Sequence, residues 1–246
     1  MNEHAQVLEV VRNTQRAPYR FDSKRAALIV VDVQRWFTEP DAPIARFDER
    51  VSPGITAGYF ARVATDVLPN VARLRHAFRA RRLPTVFLAV GSHADGCDLP
   101  HWMRDFDEIA QAQLGQRIVP SVGDPIWQID SRVAPRAGEL VLNKVSSGPH
   151  ASTKLDQILR NLGVDSVVVC GLTTAICVAQ TARELSDRNF RVVIASDACT
   201  DRSVEMHDAA LISFGWCFGR VKPTCDAIAL LEQAEPAPAR LARARR

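Results

Sequence analysis

The chain has no Cys-x-x-Cys pair, although it holds six cysteines. Four of them, Cys170, Cys177, Cys199 and Cys217, lie in or beside apolar segments, as reduced thiols do. A disulfide framework and a thioredoxin-like redox motif are therefore both set aside. There is no apolar run near the roughly 18 residues of a membrane span and no hydrophobic signal core, which makes the cytoplasm the expected compartment. No G-x-G-x-x-G or phosphate loop follows the first predicted strand, so nucleotide-dependent Rossmann chemistry has no support. No Gly/Ser-rich or charge-block linker divides the chain, and no internal repeat is visible. Charge is nearly balanced at +3. The excess closes the chain in a Pro/Ala-rich segment with Arg240, Arg243, Arg245 and Arg246. Without interleaved aromatics these do not make a nucleic-acid or membrane site, and residues 234–246 are read as a flexible basic tail.

What is present is ordinary globular composition, 47% hydrophobic and 24% charged over 246 residues, enough for one α/β domain with a sizeable core. Residues 1–25 read as an N-terminal arm, amphipathic through Asn13, and 26–233 as the domain. Ala26–Val31 is a continuous apolar run ending in Asp32, the pattern of a parallel strand buried on both faces. Within Asp66–Arg82, Val67, Val71, Leu74 and Phe78 share a helical face. Further strands are expected at Pro84–Val90, Leu140–Leu142, Ser166–Cys170, Arg191–Ala195 and Trp216–Val221. Helices are expected at Thr153–Leu162, Ala175–Arg188, Val204–Phe214 and, after the sixth strand, through Glu232. This alternation predicts a single-domain, three-layer α/β/α fold with a six-stranded, mostly parallel, Rossmann-like sheet. Val33–Thr65 and Gly91–Glu139 break the rhythm and read as functional loops or lids.

Ligands of open parallel sheets bind outside the carboxyl ends of the strands. Three reactive residues fall there: Asp32 after the first strand, Lys144 after the third and Cys177 shortly after the fourth. With Thr174 as N-cap, Cys177 occupies the first helical turn, where the helix dipole favours a thiolate and free N–H groups face an attacked carbonyl. These grounds alone leave Cys177 equally a buried structural thiol. Asp32 reads as a base for that thiol or as a cap or ion-pair partner, and Lys144 suits either role.

The sequence resembles the isochorismatase-like cysteine hydrolases, a group that includes N-carbamoylsarcosine amidohydrolase, biuret hydrolase, ureidoacrylate amidohydrolase and nicotinamidases. The resemblance runs from about Ala26 to Leu231. It rests on Ala27-Leu-Ile-Val-Val-Asp32-Val-Gln34, Asn143-Lys144-Val-Ser-Ser147 through Ser152-Thr153, Cys170-Gly171-Leu-Thr-Thr174-Ala-Ile-Cys177-Val178, Ser196-Asp197-Ala198 and Glu205-Met-His207-Asp-Ala-Ala-Leu211. It implies that Asp32, Lys144 and Cys177 form a catalytic triad. It also implies a cis peptide at Leu172–Thr173 and an oxyanion hole from the Thr173 and Cys177 N–H groups. The reaction implied is cleavage of a C–N bond of a small amide, carbamoyl or ureido compound through a thioester, with no cofactor and no metal. Expected partners are that substrate and further copies of the chain, as a dimer or tetramer, with no nucleic acid or membrane. Ala175 stands where the family often carries Asp or Asn, and Pro149-His150 where it has a small residue and an aromatic. Ala89-Val-Gly-Ser-His93 does not reproduce the Asp-x-His metal cluster of nicotinamidases.

Candidate substrate contacts are Gln34, Phe37, His93, Trp102, His150 and Thr174, a largely polar set that favours a small, polar, non-aromatic compound. His93, Cys97 and His101, with Asp98, have a spacing zinc can use but lack paired ligands. His207 reads as a satisfied, buried helix residue. Trp36, Phe37, Trp102 and Trp127 fall in the two long connections. Two competing functions are a thiol sensor using Cys177 with Cys170 or Cys199, and a non-catalytic small-molecule binding protein. A sensor has no need of Asp32 and Lys144 at the same edge.

Overall fold

The structure is a computed structural model that describes residues 2–232; the tail at 234–246 lies outside the described residues. Six strands form one parallel sheet: β1 (Ala26–Val31), β2 (Thr85–Val90), β3 (Leu140–Lys144), β4 (Ser166–Leu172), β5 (Arg191–Thr200) and β6 (Arg220–Lys222). Their spatial order is β3-β2-β1-β4-β5-β6. The helices are α1 (Glu3–Arg16), α2 (Arg35–Thr38), α3 (Pro43–Val51), α4 (Ile55–Arg62), α5 (Leu68–Ala80), α6 (His101–Leu114), α7 (Leu155–Asn161), α8 (Ala179–Asp187), α9 (Val204–Cys217) and α10 (Thr224–Leu230). Among the described residues no helix is long and apolar enough to cross a membrane.

The chain runs outward from β1 to β3 and then restarts at β4 on the other side of β1. Right-handed crossovers therefore put α5 on one face and α8 on the other. The helix α10 returns to pack on α5, while α1 lies over α9. Strands β1, β2 and β4 are buried along their whole length, which explains why their sequences are apolar apart from Thr85 and Ser166 at the first positions of β2 and β4. The reversal between β1 and β4 opens a crevice at their carboxyl ends, where such sheets bind ligands. Asp32 and Thr173 are the first residues beyond those two strands.

Several boundaries differ from the sequence reading for physical reasons. The long connections are not structureless: Val33–Thr65 contains α2, α3, α4 and the start of a π-turn at Val63–Val67, and Gly91–Glu139 contains α6. Trp216 and Cys217 extend α9 instead of opening β6. Lys144 is the last residue of β3, not the residue after it. The N-terminal arm is docked. Gln15 donates to the carbonyls of Gly215 and Gly219 at 2.7 and 3.0 Å and accepts from the Val221 N–H at 2.8 Å.

Gly171 is the residue the crevice most depends on. Its φ is +122°, and a Cβ there would lie 2.0 Å from the Val31 carbonyl oxygen on β1. Gly171→Ala therefore forces β4 away from β1 in a conformation that L-residues avoid. The expected result is a loss of at least about 3 kcal/mol in urea unfolding, beyond an ordinary glycine-to-alanine change.

Candidate active site

Asp32, Lys144 and Cys177 meet at the carboxyl edge of the sheet. Asp32 leaves β1 in the left-handed region, at φ +49°, which aspartate tolerates better than most residues. Its N–H stays tied to the Leu88 carbonyl at 2.9 Å. The side chains of Asp32 and Lys144 are both fully buried, and Lys144 Nζ lies 2.8 Å from Asp32 Oδ2. The contact is an ion pair more than a directed hydrogen bond, because neither Asp32 oxygen has a well-aligned donor. The same ammonium lies 3.4 Å from Cys177 Sγ and donates to the Ser146 carbonyl at 2.9 Å.

Burial pushes the Asp32 carboxyl above its ordinary range, against the pull of Lys144. For Lys144 burial works against the charge, but Asp32 and Cys177 outweigh it, and the ammonium titrates above its usual value. Burial, with Asp32 adding to it, pushes the Cys177 thiol up, while Lys144 pulls it down. Burial therefore works against the thiolate that the start of a helix was expected to favour, and Lys144 works for it. Cys177 is only 7% exposed, while Cys97, Cys217 and Cys225 are exposed. Brief iodoacetamide treatment at neutral pH should therefore label those three before Cys177, as peptide mapping would show.

The turn that carries Cys177 also differs from expectation. Thr174–Val178 is a π-turn leading into α8, and Thr173, not Thr174, holds the cap position. Thr174 Oγ1 is instead engaged with His207 Nδ1 at 2.8 Å, on a histidine that is half-buried and not fully buried as expected. The carboxylate at this helix start comes from another element: Asp201, after β5, accepts from the Ala175 N–H at 2.6 Å. Asp201 supplies the acid that Ala175 lacks. The Leu172–Thr173 peptide is cis, and the Thr173 N–H donates no hydrogen bond among the described residues.

Beside these groups lies a cavity of about 200 Å³. Cys177 and Thr173 reach its wall, and Trp36, Phe37, Trp102 and Phe106 make its aromatic lining. Of the candidate substrate contacts, Phe37 and Trp102 line this cavity. Gln34, His93, His150 and Thr174 do not line it. The Gln34 amide bridges strand ends, donating to Val90 and Trp127 carbonyls at 3.1 and 2.7 Å and accepting from the Val90 N–H at 2.8 Å. His93 is exposed and lies 3.0 Å from Asn143 Nδ2. His150 Nδ1 is 2.8 Å from Glu184 Oε2. Gln34 and Thr174 are occupied by the fold and none of the four lines the cavity, so the wall inferred from them gives way to a mainly apolar one whose polar members are Thr173, Ser146, Ser147, Asp48, Asp201 and Arg202. Trp127, likewise, bonds Asn143 through its indole at 2.8 Å. Asp98 accepts from Ser92 Oγ and the His93 N–H. No group of three or more His, Cys, Asp or Glu side chains placed to hold a metal occurs among the described residues.

The sequence reading missed Arg202, which also lines the cavity. Its Nε donates to Asp48 Oδ2 at 2.7 Å, while Nη1 is buried without a partner. The guanidinium carbon lies 4.6 Å from the Tyr59 ring centre. Arg202 sits two residues beyond β5, so the rule that exposed Asp32 would have found it too.

The Isochorismatase domain family profile matches residues 26–225. The chain is 27% identical to an N-carbamoylsarcosine amidase of Arthrobacter sp, over 85% of this chain and 72% of that protein. It is 26% identical to a ureidoacrylate amidohydrolase of Methylobacterium radiotolerans, over 94% of this chain and 87% of that protein. The crystal structure of a cysteine hydrolase from Pseudomonas syringae pv. phaseolicola superposes with a TM-score of 0.71 at 24% identity, covering 88% of this chain and 98% of that one.

Proposed function

This chain belongs to the isochorismatase family, and from that membership we propose that it is a cysteine-dependent amidohydrolase acting on a small amide, carbamoyl or ureido compound that carries a carboxylate. The observation that carries the reading is the meeting of Lys144 Nζ with Asp32 Oδ2 at 2.8 Å and Cys177 Sγ at 3.4 Å beside the cavity.

In this mechanism the substrate carbonyl carbon lies over Cys177 Sγ, with its oxygen toward the Thr173 and Cys177 N–H groups. Asp32 takes the thiol proton as sulfur bonds to carbon, and the two N–H groups hold the charge that moves onto oxygen. Collapse breaks the C–N bond, and Asp32 returns the proton to the departing nitrogen, so ammonia or an amine leaves neutral. Asp32 then takes a proton from water as it attacks the thioester. The acid product departs and the proton returns to sulfur. Lys144 keeps Asp32 ionised in a buried site and steadies the sulfur as it becomes anionic. The apolar walls limit the water that reaches the thioester.

Arg202 supports the carboxylate. A buried guanidinium N–H left unpaired is costly, and a carboxylate oxygen would satisfy it. N-carbamoylsarcosine and ureidoacrylate, named for two relatives, are both acids. Arg202→Gln should lower kcat/KM about 10–100-fold for a carboxylate-bearing substrate, mostly through KM. An amide without the carboxylate should change far less. Equal losses for both compounds would refute the carboxylate assignment.

A further inference from the structure

The amino edge of the sheet, opposite the candidate active site, holds a buried charge that the proposed reaction does not use. Arg220 opens β6 and is only 7% exposed. No carboxylate pairs with it among the described residues. The contrast within the molecule is direct. Arg75, which is 4% exposed, lies 3.1 Å from Glu139. Arg202 lies 2.7 Å from Asp48. Arg220 has only the carbonyls of Gly219 and Ala17, at 3.4 and 3.0 Å, and the face of Tyr19, whose centre is 4.5 Å away. Its Nε is buried without a partner. Burial raises the Tyr19 phenol above its ordinary value, so the ring offers its quadrupole and no negative charge.

A second cation faces the same ring. Arg191, the first residue of β5, lies 5.9 Å from the Tyr19 centre and is exposed. Its side chain makes no hydrogen bond or ion pair among the described residues. One acid, Asp165, lies near enough to act on Tyr19, but it accepts from Ser166 Oγ at 3.1 Å and pairs with neither arginine. Burial and the nearby Arg191 both work against the charge on Arg220. Tyr19, Arg191 and Arg220 line a cavity of about 320 Å³ with Pro18, Asn189 and Cys217.

Buried charges in proteins are paired. Here two guanidinium groups meet at one cavity with no anion between them. We propose that this cavity binds a phosphate group, whose dianion balances Arg191 and Arg220. A phosphate fits better than a carboxylate, because two cations call for two negative charges and guanidinium donors match several acceptor oxygens. The site is independent of the amidohydrolase reading, since none of its residues reaches the catalytic cavity.

Calorimetric titration of the full chain with inorganic phosphate at low salt is expected to show one saturable site. Arg191→Gln, at an exposed position that leaves the core intact, should weaken it at least about tenfold, and acetate should bind the wild type at least about tenfold more weakly than phosphate. Arg202→Gln, in the other cavity, should leave the phosphate affinity within about twofold. No saturable binding to the wild type would overturn the proposal. So would binding unaffected by Arg191→Gln, binding lost in Arg202→Gln instead, or acetate binding as tightly as phosphate.

Discussion

Asp32→Asn is expected to lower kcat/KM by about 10²–10⁴-fold while the protein stays folded, because the amide cannot accept the thiol proton or return it to the departing nitrogen. The wild-type pH profile carries the same information. Burial raises the Asp32 pKa, against Lys144, and the base must be ionised to act. Activity should therefore fall as pH drops through a value above the ordinary carboxylate range of about 4. The residual activity of Asp32→Asn should lack that acid limb. An acid limb unchanged in the variant would assign it to another group.

Lys144→Met is expected to inactivate the enzyme and also to destabilise it, by about 3–5 kcal/mol near neutral pH. The side chains of Asp32 and Lys144 are fully buried, so methionine keeps the volume but leaves a carboxylate without its counter-charge. With Lys144 gone, the folded-state pKa of Asp32 rises further above its unfolded value. The deficit should then be small at and below about pH 4, the ordinary carboxylate pKa, and should grow as pH rises until the folded pKa is passed. Adding Asp32→Asn to Lys144→Met should restore much of the lost stability and none of the activity. Urea unfolding of the three variants at two pH values tests this. A pH-independent deficit, or no recovery in the double variant, would show that the loss comes from packing and not from charge.

Much of the fold was legible because local and global signals agree in it. Ala26–Val31 is apolar throughout, and Ser166–Leu172 is apolar after its first residue, because both strands are covered on both faces. Gly171 near the end of the fourth strand was visible in the sequence, but the need for it, a 2.0 Å approach of a Cβ to the Val31 carbonyl, was not. The positions of Asp32, Lys144 and Cys177 were legible for a topological reason: strand ends in a parallel sheet converge on one edge. The contacts of the surrounding polar residues were not. Gln34, His150 and Thr174 belong to the same stretches of chain, yet their hydrogen bonds go to Val90, Glu184 and His207. Which way a polar side chain turns depends on partners far away in sequence, and periodicity carries no trace of them. The capping of Ala175 by Asp201 across 26 residues is the same case. Arg202 is different, because the strand-end rule applied to β5 would have reached it.

The central claim is that Cys177 cleaves a C–N bond of a small acid amide. The most direct measurement is ammonia or amine release from a panel of N-carbamoyl amino acids, ureido acids and monoamides of dicarboxylic acids. It would compare the purified wild type with Cys177→Ala. Wild-type release from at least one compound is expected, with at least about 10⁴-fold less from Cys177→Ala. Release by Cys177→Ala within about tenfold of the wild type, or no release by the wild type from any compound, would contradict the account.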